Sequence, residues 1–208
     1  EAEFGQLEGR GPGALADHLP RVDEATWQAR LQYWERALAE LDTIPVDELS
    51  PEEKINAAVF RTVITGLAED VRYRTYEQPF NSDTFFWTGL APRSGFANAE
   101  EYRRYIGRLR DIPRYFDEQM TNMRAGLARG FSVPRVTLTG RDTTMEPFQT
   151  ADENNPFYAP FRGIVASPST DAGHTLLLPI VVAIIAYALA HLLINGLLRM
   201  LAHRKTEI

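Results

Sequence analysis

The only polar side chains to interrupt the long apolar run at residues 175–198 are Tyr187, His191 and Asn195. Their spacing of four stacks them on one face of a helix. Two chemistries suit such a face. In the first, His191 and Asn195 hydrogen-bond across a helix–helix contact. Ala186 and Ala190, spaced small-x-x-x-small, would let a neighbouring helix approach closely there. In the second, the neutral His191 imidazole ligates a metal centre, either a haem iron or the magnesium of a chlorophyll-type pigment. A position of His191 near the membrane interface would need neither.

Other candidates for chemistry are sparse. The remaining histidines are His18, His174 and His203, none beside a glutamate in a metal-holding pattern. The chain has no cysteine, which excludes disulfides and thiolate metal sites. "GRGPG" near the start is glycine-rich, but no helix opening with a Lys-Ser/Thr pair follows, and no Gly-x-Ser-x-Gly elbow occurs. Asp152 and Glu153 are adjacent carboxylates without a histidine partner, a pattern of solvated surface. No set of nucleophile, base and orienting group emerges. The expectation is a protein with no catalytic residues and, His191 as a cofactor ligand apart, no metal ligands.

The elements that must position the His191 face follow from composition. The 208 residues carry a net charge of −6. Residues 175–208 hold Arg199, Arg204, Lys205 and Glu207, so residues 1–174 stand at −8. That field repels phosphate and excludes nucleic acid as a partner. As a helix the 24-residue uncharged run spans ~36 Å, enough to cross a ~30 Å hydrocarbon core with some tilt. The basic cluster just after it places the C-terminus in the cytoplasm and the bulk of the chain outside. A leader removed before Glu1 would suit that topology.

The remainder reads as helices. Trp27, Leu31, Trp34, Leu38 and Leu41 form one apolar stripe. "ELSPEEK" opens a second helix with Ser50 as cap, Pro51 at the first position and Glu53 closing a capping box; it carries Ile55, Val59, Thr62 and Val63 and runs to about Val71. Asn98 and Glu101 start a third helix with Tyr102, Tyr105, Ile106 and Leu109 inward. Pro113 begins a fourth with Phe116, Met120, Met123 and Leu127 on its core stripe, and Gly130 stops it. Phe85, Phe86 and Trp87 cannot all face inward on one helix. They lie either on a loop folded over the core or in an exposed partner-contact patch. "VPRVTLTGRD" holds at most one short strand. Pro147, Pro156, Pro160 and Pro168 then punctuate a stretch read as extended, ending in the tether "SPSTDAGH".

The segment "ANAEEYRRYIGRLRDIPRYFDEQMTNMRAGLARGFSVPRVTL", with its helix ending "RLRDIP", its "MRAGLARG" and the following "VPR", resembles the bacterial family catalogued as domain of unknown function 885. "NNPFYAPF" at 154–161 is similar too, and the resemblance spans roughly residues 22–162. It implies a mostly helical, zinc-metallopeptidase-like protein. That chemistry needs a His-Glu…His helix. The signature is missing, so no catalytic residue carries over. Around the histidine, "ALAHLL" looks like the ligating helix of light-harvesting polypeptides.

The expectation is therefore an all-α extracytoplasmic domain with a Pro-rich extended segment and one C-terminal transmembrane helix. Its parts are an N-terminal extended segment (1–22), the helical domain (23–165), a linker (166–174), the transmembrane helix (175–201) and a cytoplasmic tail (202–208). In function it reads as an accessory subunit in the bacterial inner membrane, periplasmic in bulk. Its partners would be lipid and the integral subunits of a respiratory or photosynthetic complex. A truncated metallopeptidase-like protein and a pigment- or haem-binding subunit are the other readings.

Overall fold

A computed structural model describes residues 17–81, 85–87, 89–92, 96–150 and 152–162. Three long helices carry the described chain: α1 (Glu24–Asp42), α2 (Pro51–Arg72) and α3 (Ala99–Ala128). The rest is 3-10 turns and loop. The described residues hold no β-strand, only an isolated bridge between Phe80 and Phe85. The all-α reading therefore stands. No helix among the described residues is long and apolar enough to cross a membrane. The expected membrane span at 175–201, its linker and its tail lie outside the described residues.

The chain gathers into two compact units. One comprises Arg21–Pro79 and Thr121–Ser132. Here α1 starts where Asp23 accepts the Thr26 backbone N–H at 2.9 Å, and α2 starts with the expected capping box on Ser50 and Glu53. The helices form an antiparallel hairpin, stapled by Arg61–Asp42 and Arg72–Glu35 pairs on its exposed surface. Trp34, Ala68, Val71 and Tyr76 are its buried centre, with Trp27, Leu31, Ile64 and Leu67 packed around them. Trp27 stacks on Tyr76 at 5.4 Å between ring centres. Arg74 turns the chain in the left-handed region at φ 58°, a conformation that disfavours side-chain-bearing residues. Its guanidinium lies 3.3 Å from Glu24 and 3.5 Å from Glu77.

On α2, Ile55, Val59 and Val63 are 64%, 56% and 54% exposed. The residues that pack on α1 are instead Ile64, Leu67, Ala68 and Val71, half a helical turn away. This helix is apolar on two sides, and only one of them is covered within its unit.

The second unit takes in the described parts of residues 1–20 and 133–208 together with Phe80–Met120. Most of α3 is its spine. Asn98 caps the helix as expected, accepting the Glu101 backbone N–H at 3.0 Å. Pro113 does not begin a new helix: α3 runs through it unbroken. An interior proline forfeits one hydrogen bond and crowds the preceding turn, at ~3 kcal/mol. The apolar stripe explains the tolerance, because it stays in helical phase across the proline. Tyr105, Ile106, Leu109 and Ile112 before it and Tyr115, Phe116 and Met120 after it are all buried. Met123 is half-buried and Leu127 exposed, so the expected stripe thins at its end. The helix closes on Gly130 at φ 78°, with Gly130 N–H bonded to Leu127 O and Phe131 N–H to Gly126 O, the Schellman arrangement.

Beyond α3 the expected short strand is a 3-10 turn at Arg135–Leu138 with Val136 exposed. The Pro-rich stretch is not simply extended either. It coils into 3-10 turns at Asp142–Gln149 and Ala159–Phe161, and Met145, Phe148, Phe157 and Phe161 are buried. Proline fixes φ near −65°, which such turns share with extended chain, so proline spacing alone cannot separate the two.

Candidate functional site

Of the residues singled out in the sequence, Phe85, Phe86 and Trp87 fall within the described chain. Ala186, Tyr187, Ala190, His191 and Asn195 lie outside it. The aromatic triplet sits on a bend that lays it against α3. Trp87 is 1% exposed, and its ring is 5.2 Å from Phe80 and 5.3 Å from Phe85. Phe86 meets Trp87, Phe116 and Tyr115 edge-on at 5.0, 5.1 and 6.0 Å. Such pairs each add ~0.5–1.5 kcal/mol to ordinary burial. Trp87 is thus a core side chain, which corrects its placement in a partner-contact patch; the loop folded over the core is what forms. Phe85 and Phe86 remain half-buried, and the Arg141 guanidinium stands 5.6 Å from the Phe85 ring centre. The Trp87 indole N–H has no acceptor among the described residues.

Three other buried polar side chains of this unit, Tyr102, Tyr105 and Asn155, hold the chain in place. Tyr105 donates to the Phe157 carbonyl at 2.9 Å and Tyr102 to the Pro160 carbonyl at 3.0 Å. Asn155 donates to the Phe148 and Thr150 carbonyls and accepts the Phe157 N–H. "NNPFYAPF" is therefore a clasp on α3. Burial drives the Tyr105 hydroxyl far above its ordinary pKa and raises Tyr115 as well, so both stay protonated donors.

A second clasp holds the segment before α1. Asp111 accepts the Leu19 N–H at 2.9 Å, and its carboxylate lies 3.1 Å from His18 Nδ1 and 3.3 Å from Arg114. Arg114 donates to the Leu19 carbonyl at 2.7 Å and to Glu118 at 3.0 Å. A carboxylate beside an imidazole is the orienting half of a proton-transfer site. Here Asp111 is also bound to a backbone N–H and a guanidinium, and His18 lies exposed. The arrangement serves as an anchor for residues 18–20. In the hairpin unit, Glu77 is buried against the guanidinium of Arg129, which also donates to the Tyr73 carbonyl at 3.1 Å. None of these clasps is legible in the sequence, because their partners are separated by 52–95 residues. No group of three or more His, Asp or Glu side chains able to hold a metal ion gathers among the described residues.

Helices and 3-10 turns without a strand among the described residues define the class: an all-α protein. The chain belongs to the family described as bacterial protein of unknown function (DUF885), which matches residues 4–193. That match is wider than the 22–162 expected from the motifs, and it takes in most of the apolar run. No curated protein and no solved structure gives a significant match.

Proposed function

We propose that this chain is a non-catalytic, single-pass accessory subunit of a larger bacterial membrane complex of respiratory or photosynthetic type. In this reading the helical domain is periplasmic. The observation that carries it is the face of Tyr187, His191 and Asn195 inside a 24-residue uncharged run. Polar groups in hydrocarbon are costly without a partner, so such a face calls for a neighbouring subunit or cofactor. The described clasps support it, since their polar groups stabilise backbone rather than gather around a ligand.

Purification in mild detergent tests this. Integral membrane subunits should co-purify in fixed stoichiometry; a monodisperse monomer without partners refutes the reading. The second reading, a haem or chlorophyll-type pigment on His191, is decided by an absorption spectrum that His191→Leu abolishes. Zinc content and peptide hydrolysis would show instead the metallopeptidase-like activity that the family resemblance implies.

A further inference from the structure

The outer face of α2 is an apolar stripe with acidic ends. Ile55, Val59 and Val63 follow one another at four-residue intervals and are more than half exposed. Gly66 continues the line, and nothing lies within 4 Å of where its Cβ would stand. Glu52 precedes the stripe and Asp70 follows it on the same face; both are exposed, and neither forms an ion pair among the described residues. The two carboxylates are about 27 Å apart along the helix axis. Three branched side chains at i, i+4 and i+8 beside a bare glycine form the kind of surface that receives another helix.

The charges select the occupant. A second copy packed antiparallel on this stripe brings Glu52 against Asp70 of its mate. Packed parallel, each acid meets itself. Like charges therefore face each other in either arrangement. An anionic lipid surface is repelled by the same two carboxylates. We infer that the outer stripe of α2 docks an apolar helix of a different protein, one bearing Lys or Arg at both ends of its stripe. The inference rests on the subunit reading above and names the surface used.

The test places a benzophenone photo-crosslinking side chain at position 59 of the full chain in native membranes, with the adduct identified by mass spectrometry. The expected adduct is a peptide of another protein, an apolar helical stretch with basic residues at both ends. Its yield should fall about tenfold or more with Val63→Lys, or with Glu52→Lys and Asp70→Lys together. Far-UV circular dichroism should stay unchanged, because all three positions are exposed. Adducts to a second copy, to residues 175–198 of the same chain, to lipid or to a helix without basic ends would each overturn the inference, as would no adduct at all. If partner subunits still co-purify with Val63→Lys at full yield, the docking face is wrong and the subunit reading survives. If nothing co-purifies with the unsubstituted chain, both fall.

Discussion

Two glycines of the hairpin unit allow the same chemical change to be made in opposite surroundings. Gly66 lies on the exposed face of α2 with nothing within 4 Å of an added Cβ. Gly126 lies buried in α3, where an added Cβ would stand 2.9 Å from the Glu77 carbonyl oxygen, 2.9 Å from the Phe131 oxygen and 3.0 Å from the Glu77 Cβ. Backbone oxygens cannot swing aside as a side-chain tip can. Moving them would also disturb the Phe131 N–H bond to Gly126 O and the buried Glu77 carboxylate. Replacing glycine by alanine inside a helix gains ~1 kcal/mol at either position. Overpacking against fixed atoms costs ~1–3 kcal/mol at Gly126 only. The propensity term cancels between Gly66→Ala and Gly126→Ala, so their difference is the steric cost alone. Urea unfolding followed by far-UV circular dichroism should show Gly66→Ala at or above the parent. Gly126→Ala should fall about 1–3 kcal/mol below Gly66→Ala with an unchanged denaturant slope. If the two variants unfold at the same urea concentration, the close approach of residues 77 and 131 to α3 is wrong.

Tyr105→Phe strands the buried Phe157 carbonyl and Tyr102→Phe the Pro160 carbonyl at an equally buried bond, so each should cost ~1–3 kcal/mol in the same assay. Ser50→Ala removes a helix cap and should cost ~1 kcal/mol near neutral pH. The Ser50 hydroxyl and backbone N–H hold the Glu53 carboxyl below its usual range; at Asp23, burial pushes upward but the Thr26 N–H and hydroxyl outweigh it, for a net lowering. Both contributions are therefore present above the unfolded carboxylate range near pH ~4 and fade as pH falls through the lower folded values. An acid titration should show the gap between the parent and Ser50→Ala narrowing. Arg129→Met removes the main partner of a buried carboxylate and should cost ~2 kcal/mol, while Glu77→Gln with Arg129→Met should recover part of that loss.

What the sequence reveals here is local chemistry. Ser50, Asn98 and Gly130 act within four residues of themselves, and each forms the expected cap or stop. Pro113 is misleading because its local preference is real and is overridden from a distance, by aromatic partners such as Phe86 against Phe116. The clue was present in the phase of the stripe, which does not slip between Leu109 and Phe116. Ile55, Val59 and Val63 show the opposite limit. Periodicity reports that a face is apolar, not which neighbour covers it. Asp111 and Glu77 depend on contacts between segments far apart in the chain, and no spacing rule reaches them.

The tyrosine clasp also bears on force. Residues 163–208 continue from Arg162, immediately beyond the point where Tyr102 and Tyr105 grip the Pro160 and Phe157 carbonyls. Tension applied at Arg162 passes to its own bond with the Glu153 carbonyl, and then to those two phenols and the Phe161 ring beside them. In a pulling experiment from the C-terminus, the first rupture should peel residues 155–161 from the spine and leave the α1–α2 hairpin intact.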